Sequence, residues 1–347
     1  MRDPSQGSSS SATEVSVSAR SLVTGGAGFI GFALARHLAD RGDAVEIVDD
    51  LSRGKADEEF AALVSRPNVR FHRFDMTERA GFSALDGHFD FVYHIAAING
   101  TRLFYEIPDR VLRVNILSTL NLLEWLVTHP CGKALFSSSS EAYSGAVTRF
   151  GYPLPTDEDV PLVVADVRNP RISYGGSKIA CELLFFNYAR MHGFPVTVIR
   201  YHNVYGPRMG YDHVVPEFAV RCFRRIDPFP IYGGDETRAF DYIDDAVRAT
   251  VSVMECREAD GEIVHVGNDR EEIAMRALAQ KMIDATGHHA KLEIHPAPAG
   301  CVMRRCPDTS KLRRLAGFEN AIPLSEGLAK TLAWYRRDFD AGNSPVR

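Results

Sequence analysis

Tyr174 and Lys178 stand four residues apart in the run Tyr174-Gly175-Gly176-Ser177-Lys178, so a helix there carries both side chains on one face. A phenol with its ordinary pKa of about 10 is a poor base at neutral pH, and a neighbouring ammonium stabilises the phenolate. General-base chemistry then comes within reach. Any amphipathic helix with a core Tyr and a surface Lys shows the same spacing, so other residues must decide. Upstream, Leu135-Phe136 runs into Ser137-Ser138-Ser139-Ser140-Glu141, an apolar strand ending in four hydroxyls. Strand ends of a doubly wound sheet face the ligand crevice. One of these serines can hydrogen-bond a reacting hydroxyl while Tyr174 removes its proton; the bland alternative is a Ser-rich turn.

A second constellation suits a dinucleotide. Thr24-Gly25-Gly26-Ala27-Gly28-Phe29-Ile30-Gly31 joins an apolar run to an amphipathic helix. Gly25 permits the tight turn, Gly28 lets backbone approach a pyrophosphate, and Gly31 allows close helix packing; the helix start offers amides and the positive end of its dipole. An acid belongs about twenty residues on, at the end of the next strand. Asp49 stands there, either accepting hydrogen bonds from the adenosine ribose or as a solvated loop carboxylate. Its charge repels a 2′-phosphate, so NAD is expected over NADP, with Arg53 as the one feature favouring the phosphorylated cofactor. Asp75 follows the run NVRFHRF and either contacts adenine or closes a strand-end turn.

The elements that must hold these groups alternate. SLVT, a helix over 28–41, AVEIV, NVRFHRF, FDFVYHIAA, a helix over 111–128, KALFSSSS, a helix from near Tyr174 to about His192, and PVTVIRY read as βαβ units. The expected fold is α/β, a doubly wound parallel (Rossmann) sheet with a smaller mixed α/β substrate lobe. Residues 1–17 are Ser-rich and predicted disordered. Residues 18–203 form the dinucleotide-binding domain, and 204–347 form mainly the substrate lobe, with a segment at about 238–270 returning to the first domain. Pro207, Pro216, Pro228 and Pro230 punctuate the second part.

Composition narrows the function classes. The 347 residues are 45% hydrophobic and 24% charged, with net charge −5, as in an ordinary globular protein. Lys and Arg are scattered, so no nucleic-acid footprint is present. No run of about eighteen apolar residues suggests a membrane span. The six cysteines show no zinc spacing and read as free thiols in a reducing compartment, so a cytoplasmic location and no metal are expected. His94, His202 and His213 are read as structural, with His213 the one placed for a sugar contact.

Taken in order, TGGAGFIG, SSSSEAY, YGGSK and RYHNVYGPR resemble the NAD-dependent epimerase/dehydratase family, the extended short-chain dehydrogenase/reductases, over roughly residues 20–335. The family includes UDP-glucose 4-epimerase, dTDP-glucose 4,6-dehydratase and UDP-glucuronate decarboxylase. By position, the resemblance implies Ser139 as the catalytic hydroxyl, Tyr174 as base and Lys178 as its partner on the nicotinamide ribose. It implies cofactor contacts at Ala96 and Ala97 and a substrate contact at Asn203; Gly25, Gly28, Phe29, Ile30, Gly31, Asp49, Asp75 and Met76 complete the expected cofactor set, and Ser139, Ser140, Arg208, His213 and Val215 the expected substrate set. Arg238 resembles an arginine that clamps the substrate diphosphate, a task suited to its bidentate geometry; a surface salt bridge is the alternative. The helices at 111–128 and 174–192 resemble those that pair in a homodimer.

Departures bear on the reaction. Dehydratases of the family resemble Thr-Asp-Glu where this chain has Ser139-Ser140-Glu141, and a serine is a weak acid for expelling water. Decarboxylases resemble Thr-Ser-Glu there. Glu141 is therefore either an acid–base group or a binder of distal hydroxyls. The family's late Arg-x-Gly-Asp appears as Pro298-Ala299-Gly300-Cys301, which leaves the base open among UDP, GDP, dTDP and CDP. The reading adopted is an NAD-dependent nucleotide-sugar 4-epimerase, an isomerase working through a transient 4-keto sugar with NADH retained. Decarboxylation or dehydration using Glu141 is the alternative. A non-catalytic NAD sensor has no need of Ser139, Tyr174 and Lys178 together.

Overall fold

The computed structural model describes residues 18–297 and 302–344. The 1–17 tail and the Pro298–Cys301 segment lie outside the described residues.

Six strands, β1 (Arg20–Thr24), β2 (Ala44–Val48), β3 (Val69–His72), β4 (Phe91–His94), β5 (Lys133–Ser139) and β6 (Val196–Tyr201), build one sheet in the order β3-β2-β1-β4-β5-β6. Strand Ile263–Val266 adds a seventh beside β6, and every pairing is parallel. Parallel strands covered on both faces must be apolar throughout, and Leu22, Val23, Val92, Leu135, Val198 and Val264 are fully buried. The order reverses between β1 and β4, which opens a crevice at the carboxyl ends of the strands.

Helices Phe29–Asp40 and Ile243–Glu255 pack together on one face, and Pro108–Thr128 with Ile172–His192 on the other. The Pro108–Thr128 helix starts earlier than the hydrophobic period indicates, with Pro108 at the first position, where its missing N–H costs nothing. A short helix, Thr101–Glu106, precedes it, which the sequence reading lacks. By length and composition the longer one is apolar enough to cross a bilayer, but core helices pass the same test. Leu122, Leu123 and Leu126 are fully buried beneath the sheet.

Buried polar pairs fix the Ile172–His192 helix against the sheet. Glu182 receives Arg200 of β6 at 2.9 and 3.0 Å, and Ser138 of β5 as well. Asn115 donates to Ser177 at 3.0 Å and accepts from the Ile98 amide at 2.7 Å, tying that helix to the loop after β4. Such groups are stable only as complete sets, since a charge stripped of its partner in the interior costs several kcal/mol.

The second lobe is a patchwork. Asp241–Tyr242 pairs with Val204–Tyr205; Thr237–Ala239 lies between Glu272–Ala274 and Arg304–Arg305; Leu292–His295 pairs with Phe229–Tyr232. Helices Val214–Phe223, Met275–Ala285 and Leu324–Asp340 cover them.

Candidate functional site

One large cleft of about 1040 Å³ runs along the carboxyl ends of β1, β2, β4 and β5 and under the second lobe. It lies at the upper end of the roughly 300–1,000 Å³ usual for small-molecule sites.

The cofactor half is a backbone cradle. Gly25 adopts φ 71°, and a Cβ added there would meet the Ala96 backbone at 2.8 Å. A Cβ on Gly31 would fall 2.2 Å from the Gly25 carbonyl oxygen, so helix and turn touch only because both residues are glycine. Gly28 caps the helix without a side chain, leaving first-turn amides without intrahelical partners. Asp49 lines the cleft and accepts from the amides of Ala27 (3.0 Å) and Leu51 (2.8 Å); burial outweighs those bonds and holds its carboxyl above the usual range. Phe29, Ile30, Met76, Ala96 and Ala97 line the same channel. Asp75 lines it too and closes a turn by accepting from the Thr77 amide at 2.8 Å. The turn, the helix start and the ribose-side carboxylate together fit a dinucleotide.

The reacting half is built from β5 and the Ile172–His192 helix. Ser139, Tyr174 and Lys178 line one wall. Burial pushes the Tyr174 phenol up; hydrogen bonding with Ser139 acts in the opposite direction. Phe104 stacks on the phenol ring, centroids 5.0 Å apart. Lys178 is 2% exposed, donates to the Ser137 carbonyl at 2.7 Å, and lies 5.5 Å from the Tyr174 ring centroid. Burial pulls its ammonium down to about 8.

Glu141 follows on the next turn. Its carboxylate accepts from Arg305 at 2.8 Å and Arg171 at 3.4 Å. Burial pushes its carboxyl up, but Arg305, Arg171 and Arg238 outweigh that and hold it below the ordinary value. It is a fixed carboxylate, unsuited to donate a proton.

The other residues expected to contact substrate distribute unevenly. Ser140, Asn203, Arg208, His213 and Arg238 line the cleft. Asn203 adopts φ 41° and donates to the Ala239 carbonyl at 3.1 Å. Arg208 is held by Asp57, across the lobes, and lies over the Phe32 ring at 3.9 Å, so its charge is largely engaged within the protein. Val215 does not line the cleft. It is fully buried on the inward side of the Val214–Phe223 helix, and Val214 faces the cleft instead, one residue of rotation away. His94 and His202 are structural: His94 bridges Thr24 and Thr119 at 2.8 and 2.9 Å, and His202 meets Tyr143.

Sequence reasoning missed Arg171, Arg305, Phe104 and Asp212, all of which line the cleft or the site. Arg171 lies one helical turn before Tyr174, a signal that was available. Arg305 comes from a two-residue strand with no local pattern of its own.

The fold and this pairing of a dinucleotide cradle with a Ser-Tyr-Lys wall define a short-chain dehydrogenase/reductase type of enzyme. The chain belongs to the NAD-dependent epimerase/dehydratase family, whose model matches residues 21–267. It is 32% identical to a UDP-N-acetyl-alpha-D-glucosaminuronate decarboxylase of Bacillus cytotoxicus, over 91% of this chain and 98% of that one. The UDP-glucose 4-epimerase of Thermotoga maritima, solved with UDP-glucose, superposes with a TM-score of 0.81 at 30% identity, covering 92% of this chain and 99% of that one. A UDP-glucuronic acid 4-epimerase from Bacillus cereus, in complex with UDP-glucuronic acid and NAD, gives 0.80 at 26% identity and the same coverage. The protein is an NAD-dependent nucleotide-sugar enzyme of the epimerase and decarboxylase type.

Proposed function

We propose that the chain is a nucleotide-sugar 4-epimerase. Bound NAD supplies a hydride acceptor that can return what it receives. Tyr174 takes the proton of the sugar's C4 hydroxyl, Ser139 positions that oxygen, and Lys178 favours the phenolate. The resulting 4-keto sugar needs only to turn about its diphosphate linkage before the proton and hydride are restored on the opposite face. Rate comes mainly from orientation, with the tyrosine contributing on the order of 10²–10⁴.

The state of Glu141 carries this reading. Paired with Arg305 and Arg171, it is held as a carboxylate, and Ser140 beside it is too weak an acid to expel water. Oxidation and reduction at one carbon require neither.

A second reading rests on the arginines. Arg171, Arg238 and Arg305 all act on the Glu141 carboxylate, and a cleft wall that carries three guanidinium groups suits an acidic sugar. A 4-keto uronate is a β-keto acid and loses carbon dioxide without a dedicated base, so decarboxylation survives the argument from Glu141. We favour a UDP-linked uronic acid as substrate, in keeping with the Bacillus cereus neighbour solved with UDP-glucuronic acid and the Bacillus cytotoxicus relative named for a UDP-linked uronate. Incubation with UDP-, GDP-, dTDP- and CDP-sugars separates the readings: unchanged product mass supports epimerisation, and loss of carbon dioxide or water overturns it.

We also propose a homodimer in the cytoplasm that engages neither membrane nor nucleic acid. Exposed Leu112, Leu183 and Met191 on the two paired helices support self-association, and the free thiols of Cys131, Cys181, Cys222, Cys256 and Cys306 support a reducing compartment. A monomeric mass by light scattering contradicts the first, and a membrane-pellet fraction of a tagged chain the second.

A further inference from the structure

Arg53 belongs to the loop after β2, on the cofactor side of the cleft, and reaches the opposite wall. Its Nη2 lies 3.6 Å from where a Cβ on Gly100 would stand. Gly100 opens the Thr101–Glu106 helix, whose Phe104 stacks on Tyr174. Arg53 and Tyr174 line the same cleft; Arg53 is exposed as a residue, while partial burial of its guanidinium lowers that group's pKa from the ordinary value. It makes no hydrogen bond or ion pair among the described residues. A cation left in this state, beside a group that must carry negative charge, calls for a role. We propose that Arg53 is a second cation of the proton-transfer site, a positioning residue that stabilises the ionised phenol of Tyr174 together with Lys178.

The surroundings of the phenol explain why a second cation matters. On its own helix, Lys178 is committed to the Ser137 carbonyl, and burial pulls its ammonium down to about 8. Cys181 on that helix is held as a neutral thiol by burial. From the turn after β5, Glu141 opposes the phenolate and Ser139 assists it. The Pro108–Thr128 and Thr101–Glu106 helices present Val111, Val114 and Phe104, which are uncharged. From the second lobe, His213 is kept neutral by burial and by Arg53, and Asp212 faces Arg53 and Arg102. Arg53 is therefore a cation besides Lys178 within reach of the phenol, and its charge favours ionisation.

The proposal rests on Tyr174 being the base. Ultraviolet difference titration of NAD-loaded enzyme, each form measured against its Tyr174→Phe counterpart, isolates the Tyr174 phenolate. R53Q should raise its midpoint by about one pH unit, and R53K should recover most of that shift. An unchanged midpoint in R53Q overturns the proposal; if UDP affinity falls at the same time, Arg53 is a diphosphate ligand instead. Loss of NAD affinity in both R53Q and R53K assigns it to the cofactor and overturns the proposal equally. A Tyr174 that titrates as stated in an enzyme that turns over no nucleotide sugar refutes the functional reading and leaves the role of Arg53 intact.

Discussion

The Glu141 carboxylate and the Arg305 guanidinium, 164 residues apart in sequence, meet at 2.8 Å inside the cleft. This contact joins the Rossmann half to the second lobe and, with Arg171 and Arg238, holds the Glu141 carboxyl below its ordinary value.

If Glu141 is a structural carboxylate, Glu141→Gln should lower kcat by less than about tenfold, with KM taking most of the change. A general acid or base at that position would cost on the order of 10²–10⁴ in kcat. Steady-state kinetics with UDP-glucuronic acid distinguishes these outcomes.

Tyr174→Phe removes the hydroxyl proposed as proton acceptor and keeps the ring that stacks on Phe104. NAD affinity should stay within about twofold of wild type, and turnover should fall on the order of 10²–10⁴. Turnover near the wild-type level would remove Tyr174 from the chemistry.

Gly31→Ala tests the cradle. The added methyl group would sit 2.2 Å from the Gly25 carbonyl oxygen, which is backbone and has no room to yield. NAD affinity should fall by at least about tenfold, given typical costs of one to several kcal/mol for such overlap. Fluorescence titration with NAD checks it, and unchanged affinity would contradict the fit.

Buried histidines make stability depend on pH. Burial pulls His94 down to about 3, below its ordinary 6.5, while the unfolded chain titrates normally. Between those values the unfolded state holds more protons, so stability is full above about pH 6.5 and declines toward pH 3. His265 behaves alike, also near 3. His94→Gln should flatten the slope of unfolding free energy against pH by about one proton across that window. Urea denaturation at several pH values measures it, and an unaltered slope would show that His94 does not titrate as stated.

Much of this was legible in the sequence because local spacing fixes it. Gly25, Gly28 and Gly31 announce a turn and a helix start, and Tyr174 with Lys178 announces a shared helical face. The apolar runs foretell a parallel sheet because strands buried on both sides cannot be polar. What escaped depends on contacts between distant segments. Arg305 reaches Glu141 from a short strand with no periodicity, and Phe104 lies on a six-residue helix too brief to show one. Val215 belongs to the expected substrate set, but a helix turns each successive residue by about 100°, which sends Val214 to the cleft and Val215 to the core.

The central claim is reversible oxidation at one sugar carbon with no bond broken elsewhere. UDP-glucuronic acid carrying deuterium at C4, incubated with the purified NAD-loaded enzyme, tests it most directly by mass spectrometry and NMR. The predicted product is the C4 epimer, unchanged in mass and still deuterated at C4. A product lighter by carbon dioxide or water, or one whose deuterium has been lost to solvent, would contradict it.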